Sequence, residues 1–564
     1  MKQIYYNGKV YTGSLPLVQA FAVEDGQFVF AGSDEEAKKL AQQPDQLVDL
    51  EGRFVCSGFN DSHMHLLGLG KMLTQANLAA HTDSLEGMLS YLKEYAALKE
   101  DASEAESSSW ILGRGWNQDY FADVDRMPDR HDLDKVSAQR PVCIIRACGH
   151  CLAVNTKALE LLGITKETPQ PDGGRIGMEK LESGGTKGSD IKKGETELFP
   201  DGRFYDNAME LVYAAIPAPE LEEIKAMIRA ACRMLNSYGI TSCQSDDYCV
   251  FANVSPEVIN QAFAELEKAG ELTVRVYEQS NLTTLTELQK FVEAGNVTGT
   301  GSDHFRFGPL KMLGDGALGA RTAFLSQPYA DEPATCGIPV FSRETFEEMI
   351  GYAHANGMQA AVHTIGDACL DWVLSAYEKA LQAQPRKNHR HGIVHCQITR
   401  PDQLQKIQDL NLHVYAQSIF LDYDINIVES RVGKELASTS YSWKTLAEGG
   451  VRVSNGSDCP VELPDVMAGI QCSVTRRRLK DTKEQQAYLE KEAFSVQEAL
   501  DSFTKNGAYA SFEENKKGQI KEGMLADFTV LAKNPFETDP YALKDIKICS
   551  VYLGGKEIYS GGQN

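Results

Sequence analysis

The sequence predicts an α/β protein: a (β/α)8 barrel of the TIM type, with a β-sandwich drawn from both termini and a cap inserted in the barrel. Three observations predict it. Strand-like runs alternate with helical segments through the middle of the chain, the pattern of parallel β/α units. Eight such runs can be counted: Phe54 to Phe59, Ile240 to Ser245, Leu272 to Glu278, Phe305 to Met312, Gln359 to His363, Gly392 to His395, His413 to Gln417 and Val451 to Ser457. Eight parallel strands close into a barrel. Both ends of the chain fall outside this alternation and read as short strands with tight turns between them.

At the N-terminus the runs are Gln3 to Tyr6, Asn7-Gly8 as a hairpin turn, Lys9 to Tyr11, Ala20 to Val23, Asp25-Gly26, and Gln27 to Ala31. At the C-terminus Asp527 to Leu531, Ile546 to Leu553, Gly554-Gly555 and Glu557 to Tyr559 repeat the pattern. Residues 1–55 and 510–564 therefore make one sandwich domain, and residues 56–509 the barrel. The first gap between barrel strands is too long for a single helix, so residues 66–235 contain the cap. Within it, Asp101 to Ser109 is acidic, Trp110 to Phe121 is aromatic, and Lys166 to Lys193 reads as an exposed polar loop.

A chain of 564 residues has room for a whole enzyme. Its net charge of -23 and pI near 5.0 repel phosphate backbones and anionic lipid, which argues against nucleic-acid and membrane partners. The first residues carry no signal-peptide core and no run is long enough to cross a bilayer, so a cytoplasmic location is expected. The odd number of cysteines, 13, scattered singly in apolar segments, reads as reduced buried thiols. Cys148-Gly149-His150-Cys151 lacks a second cysteine pair to complete a zinc site. The expected partner is a small-molecule substrate, and the expected assembly a homodimer.

The chemistry starts at Ser57-Gly58-Phe59-Asn60-Asp61-Ser62-His63-Met64-His65. Alternate side chains of a strand share a face, so His63 and His65 converge at its end, as two ligands of one metal would. Four more metal-competent residues fall at the ends of other predicted strands: Lys311, His363, His395 and Asp458. Each taken singly reads more readily as a satisfied core histidine or a turn-capping aspartate than as a ligand. Together they occupy the rim where barrel enzymes hold their catalytic groups. Lys311 is the odd member, because an ammonium repels a cation; reaction with carbon dioxide would make it a carbamate with two donor oxygens.

This set, His-x-His, Lys, His, His and Asp on successive strands, resembles the amidohydrolase superfamily of metal-dependent hydrolases. Gly115-Trp116-Asn117-Gln118, Gly149-His150 with Asn155, the run Lys311 to Thr322, His363-Thr364-Ile365-Gly366-Asp367, and Gly518 to Asp527 resemble its amidohydrolase family 3 branch. That YtcJ-like group includes N-substituted formamide deformylases. One departure is Gly202-Arg203-Phe204-Tyr205-Asp206, where relatives tend to carry a Thr-Gly-x-Leu-type segment. The resemblance implies two zinc ions, one held by His63, His65, carboxylated Lys311 and Asp458, the other by Lys311, His363 and His395. With an unmodified lysine the fallback is one zinc on His63, His65, His363 and Asp458, leaving His395 to orient or polarise the substrate.

The activity expected is hydrolysis of a C–N bond in an amide, formamide or cyclic amide by metal-activated water, with Asp458 as general base and then acid. Alternatives are cleavage of an ester, deamination of a ring, or a non-catalytic regulatory role on the same fold. Substrate contacts are expected from Trp116 by stacking, His150 by hydrogen bonding and Arg321 by pairing with a carboxylate, although Trp116 could equally be cap core and Arg321 could brace its own loop through Asp315. Zinc content should approach two per chain when the protein is prepared with zinc and bicarbonate. Elemental analysis finding one metal at most, unchanged by bicarbonate or by Lys311→Ala, would exclude the bridged arrangement.

Overall fold

The structure is a computed structural model that describes residues 2–102, 110–147, 150–171, 173–182, 196–251 and 253–562. The chain divides into two compact units, Met1–Leu69 with Leu221–Asn564, and Gly70–Glu220.

The first unit contains eight parallel strands in sequential order: β1 (Phe59–Met64), β2 (Ile240–Ser245), β3 (Arg275–Asn281), β4 (Phe305–Leu313), β5 (Ala360–Thr364), β6 (Gly392–His395), β7 (His413–Ala416) and β8 (Arg452–Asn455). Helices such as Leu221–Ser237, Pro256–Ala269 and Asp367–Ala383 lie between strands in the chain and bury their apolar faces in the main core. Just past the strand ends, the Asp458 amide donates to the His63 carbonyl at 2.8 Å, bringing β8 and β1 together. Gly456 permits this approach, since a Cβ there would lie 2.5 Å from the His63 nitrogen.

One strand expectation is corrected. Phe54 to Phe59 is not a single barrel strand: Phe54–Ser57 runs antiparallel to Phe528–Leu531 in the sandwich, and the barrel strand begins at Phe59. Gly58 separates the two. A side chain at that position would sit 2.2 Å from Thr241 Oγ1, so only glycine lets the chain pass from one sheet to the other against β2.

The sandwich draws strands from both termini. One sheet orders Gln27–Gly32, Ala20–Glu24, Gln3–Tyr6 and Leu47–Asp49; the other orders Lys9–Val10, Phe54–Ser57, Phe528–Leu531, Ile548–Leu553 and Lys556–Ser560. Between them lies an aromatic core in which Tyr5 stacks on Phe21 and Phe528 meets both edge-on. The turn expected at Asp25-Gly26 is a hairpin turn, both residues with positive φ. Asn7-Gly8 is not one: Gln3–Tyr6 and Lys9–Val10 lie in different sheets, so this turn carries the chain across the sandwich.

The second unit has a six-stranded sheet in the order Gly174–Glu182, Thr196–Asp206, Cys151–Val154, Val142–Arg146, Ile111–Trp116 and Ala76–Asn77. The predicted loop Lys166 to Lys193 thus contains a strand, Gly174–Glu182, paired antiparallel with Thr196–Asp206. Ile176 and Met178 alternate with other residues and pack into that unit's core, a period masked in the sequence by the surrounding Gly, Lys and Glu. Residues 183–195, which include the end of that expected loop, residues 103–109 of the acidic stretch, and Cys148 and Gly149 lie outside the described residues. Among the described residues the cysteines form no disulfide, and no helix is long and apolar enough to cross a membrane.

Barrel and sandwich are tied by a buried ion pair. Arg275 at the start of β3 donates from Nε and Nη2 to the two carboxylate oxygens of Asp527 at 2.7 and 3.0 Å, and the Gly554 amide shares Oδ1. Removing the acid leaves a buried guanidinium uncompensated. Asp527→Ala should therefore lower unfolding free energy by about 3–5 kcal/mol, read from urea denaturation; a loss of at most about 1 kcal/mol, the worth of a surface pair, would show that the junction is held by packing alone.

Candidate metal centre

Polar side chains line the C-terminal rim of the barrel, and the six expected ligands are among them. His63 lies on β1 and His65 just beyond it, Lys311 on β4, His363 on β5, His395 at the end of β6, and Asp458 shortly after β8. Strand register keeps them level: Asn281 pairs with Lys311, Leu313 with His363, and Thr364 with His395. His63, Lys311 and His395 are fully buried and Asp458 nearly so.

Outer partners fix which nitrogen of each imidazole carries hydrogen. His65 Nδ1 is 2.9 Å from the Asp246 backbone carbonyl, and His363 Nε2 is 3.1 Å from that of Gly316. A carbonyl only accepts, so these nitrogens donate and the opposite nitrogen of the neutral ring is a bare lone pair. His63 follows the same logic through Gln279, whose amide nitrogen donates to the Ser62 carbonyl at 3.1 Å and so turns Oε1 toward His63 Nδ1 at 2.6 Å. His395 Nδ1 meets Gln417 Oε1 at 2.7 Å. Metal-ligating histidines are held by outer acceptors in this way.

The bare nitrogens converge on Asp458. Nε2 of His63 and Nε2 of His65 stand 3.3 and 3.2 Å from its Oδ1, a buried atom that has no hydrogen-bond partner among the described residues. Three acceptors facing one another are stable only with a proton or a cation between them. Two ligands of one tetrahedral zinc are about 3.3–3.6 Å apart, given bonds of about 2.0–2.2 Å, so the spacing fits a zinc-class cation. The donor atoms of His63, His395 and Asp458 all lie within 4.8 Å of one another, and His395 Nε2 reaches His363 Nδ1 at 2.9 Å.

The electrostatics agree. Burial, aided by the Lys311 charge, holds His63 well below its ordinary pKa; burial and then the neighbouring His395 do the same to His363. Burial brings His395 down to about 4. These three rings stay neutral, the form that binds metal. At His65 burial opposes the charge, but the Asp458 carboxylate beside it outweighs burial and raises the ring well above its usual value. Burial likewise works to raise Asp458, yet His65 and the surrounding imidazoles keep its carboxyl below the ordinary range.

The backbone is held in place to achieve this. His395, Cys396 and Asp458 have φ of 73°, 50° and 57°, a left-handed conformation that costs a non-glycine residue about 1–2 kcal/mol. Buried Asp61 braces the last of these, accepting from the Ser457 amide and hydroxyl and from the His63 amide.

Lys311 Nζ is 3.1 Å from Asp246 Oδ2, which also accepts from Asn281 at 3.2 Å. The amine is thus paired with a buried carboxylate. Sequence reasoning passes over Asp246, Gln279, Asn281 and Gln417. A signal for the first three is present as polar runs at strand ends, Gln244-Ser245-Asp246-Asp247 and Glu278-Gln279-Ser280-Asn281, every member of which is buried. Of the expected substrate contacts, Trp116 is fully buried in the core of the second unit, and His150 is exposed with Nδ1 3.1 Å from Asp206. Arg321 is bound to Asp331 and Glu332, not to Asp315, which instead accepts from the backbone amides of Phe324, Ile365 and Gly366.

Because Gln279 orients His63, Gln279→Ala should weaken the affinity of this site for a zinc-class cation about 10–100-fold, measured by competition with a chelator. Unchanged affinity would show that His63 does not bind the metal through Nε2.

The amidohydrolase family profile matches residues 46–559. Over 565 residues the chain is 33 % identical to the protein YtcJ of Bacillus subtilis (strain 168), named as an amidohydrolase, covering 99 % of each. It is 23 % identical to the N-substituted formamide deformylase of Arthrobacter pascens, over 95 % of this chain and 94 % of that one. A crystal structure of an uncharacterised metal-dependent hydrolase from Pyrococcus furiosus superposes with a TM-score of 0.76 at 28 % identity, over 95 % of this chain and 100 % of that one. With the family profile spanning nearly the whole chain and the rim carrying a metal-competent donor set, this protein belongs to the amidohydrolase family.

Proposed function

We propose that the protein hydrolyses a C–N bond of a small amide, formamide or cyclic amide at the Asp458 rim. The observation that carries this reading is the buried Asp458 Oδ1, which has no hydrogen-bond partner among the described residues and is faced by Nε2 of His63 and Nε2 of His65. His63, His65 and Asp458, with His395 beside them, would hold one zinc-class cation. Bound there, it supplies Lewis-acid polarisation of a carbonyl and acidification of water. His363, His395 and Lys311, the last as a carbamate released from Asp246, would hold a second.

The residues themselves divide the remaining work. Asp458 is kept ionised by its imidazole neighbours, so its carboxylate can take a proton from water and return it to the leaving nitrogen. Gln279, Gln417 and the Asp246 and Gly316 carbonyls keep the four imidazoles turned with one nitrogen to the rim. Burial excludes competing water from His63 and His395.

The reaction class is tested by presenting formamides, N-acyl amino acids and cyclic amides to zinc-loaded protein, alongside esters. Turnover of an ester and of none of the C–N substrates would overturn it. The proton role is tested by Asp458→Asn, which keeps a neutral oxygen in place and cannot accept the proton. Turnover should fall about 10²–10⁴-fold, with metal content on the same sample largely retained. Near-normal turnover in a metal-replete variant would move proton transfer to His395.

A further inference from the structure

Beside the His63–His395–Asp458 group lies a second set of donors, which has only His65 in common with the proposed first cation site. Ligand atoms of His65, Asp246 and Cys249 are all within 4.8 Å of one another. Asp246 is fully buried and its two oxygens have different neighbours. Oδ2 is occupied by Lys311 and Asn281, whereas Oδ1 has the Cys249 sulfur at 3.5 Å. His65 lies between the two groups, since its Nε2 faces Asp458 Oδ1 at 3.2 Å. Cys249 is the exposed member, and so within reach of a cation arriving from solvent.

A thiol, a carboxylate oxygen and an imidazole are donor types that zinc accepts, and thiolate selects thiophilic ions over magnesium or calcium. The Cys249 sulfur is the soft donor that distinguishes this set from its neighbour. We propose that Cys249 is a metal ligand, completing with Asp246 and His65 a second site for a thiophilic divalent cation of the zinc class. Binding converts the Cys249 thiol to a thiolate bonded to the cation, and the displaced proton leaves to buffer. The site needs no change at Lys311, since Asp246 Oδ1 is the donor and Oδ2 keeps the lysine. When His65 serves this cation, the neighbouring group retains His63, His395 and Asp458 as donors. The inference rests on reading His65 as a metal ligand in the proposed hydrolase.

Cobalt(II) is the probe, because a cobalt–thiolate bond gives an intense near-ultraviolet charge-transfer band, whereas nitrogen and oxygen ligands give only weak visible bands. The full-length protein, stripped with a chelator, is titrated with cobalt alongside Cys249→Ser, with thermal unfolding of both to show that the variant is folded. The expected result is the charge-transfer band in the parent and its loss in Cys249→Ser, with the visible bands of the histidine group retained. The band should survive in His63→Ala, which removes only the other group. Visible bands without charge transfer in the parent, or a charge-transfer band that persists in Cys249→Ser, would overturn the proposal and leave the proposed hydrolase site intact. Absence of any cobalt absorption in the parent would overturn both.

Discussion

Carbonyl oxygens cannot donate, and that restriction organises the rim of this barrel. Two backbone carbonyls and one oriented glutamine compel His65, His363 and His63 to direct their ring hydrogens outward. What remains pointing inward is a set of lone pairs, and the barrel adds to it a carboxylate oxygen with no donor of its own among the described residues. An apolar core would not tolerate such a cluster, because each unmet acceptor costs roughly 1–3 kcal/mol. The arrangement makes physical sense as a binding site for positive charge.

Geometry elsewhere serves to keep those lone pairs together. Asp458 arrives on a left-handed turn after β8 and is pinned to β1 through the His63 carbonyl, while Asp61 grips the preceding Ser457. Gly456 gives β8 its close approach, and Gly58 releases β1 from the sandwich strand that precedes it. The sandwich is in turn locked by Arg275 and Asp527 to β3, the strand that carries Gln279. A change at the junction of the two sheets is thus one step removed from the outer partner of His63.

The fold was largely legible because apolar runs such as Gly392 to His395 and His413 to Gln417 end in polar residues at the same rim, and strand period alone places those ends. The candidate ligands stood out for the same reason. What was not legible depended on contacts distant in sequence. Phe54 to Phe59 looks continuous until Thr241, far along the chain, forces glycine at position 58. Gly174–Glu182 hides its alternation among glycines and charges, and needs its partner strand to be recognised. Gln279 and Gln417 look like ordinary polar residues until a histidine is found against each. Trp116 is a different case: the sequence leaves it open between stacking on a substrate and cap core, and the residue lies buried in the core of the second unit.

Charge balance constrains how many cations the rim can hold. Asp246 and Asp458 bring two negative charges to the donor set, and Lys311 as an ammonium cancels one, leaving a single net negative charge on these three fully or nearly buried groups. One dication on neutral imidazoles is compatible with that balance, because it replaces the proton that otherwise sits between His65 and Asp458. A second dication beside an intact ammonium is strongly opposed in a poorly solvated region. Either the lysine must reverse its charge as a carbamate, or a further anion must come from the surroundings. Cys249 is placed to supply one as a thiolate while Lys311 stays paired with Asp246. The two routes differ in which residue yields a proton, and that difference is written into the positions of Asp246 Oδ1 and Oδ2.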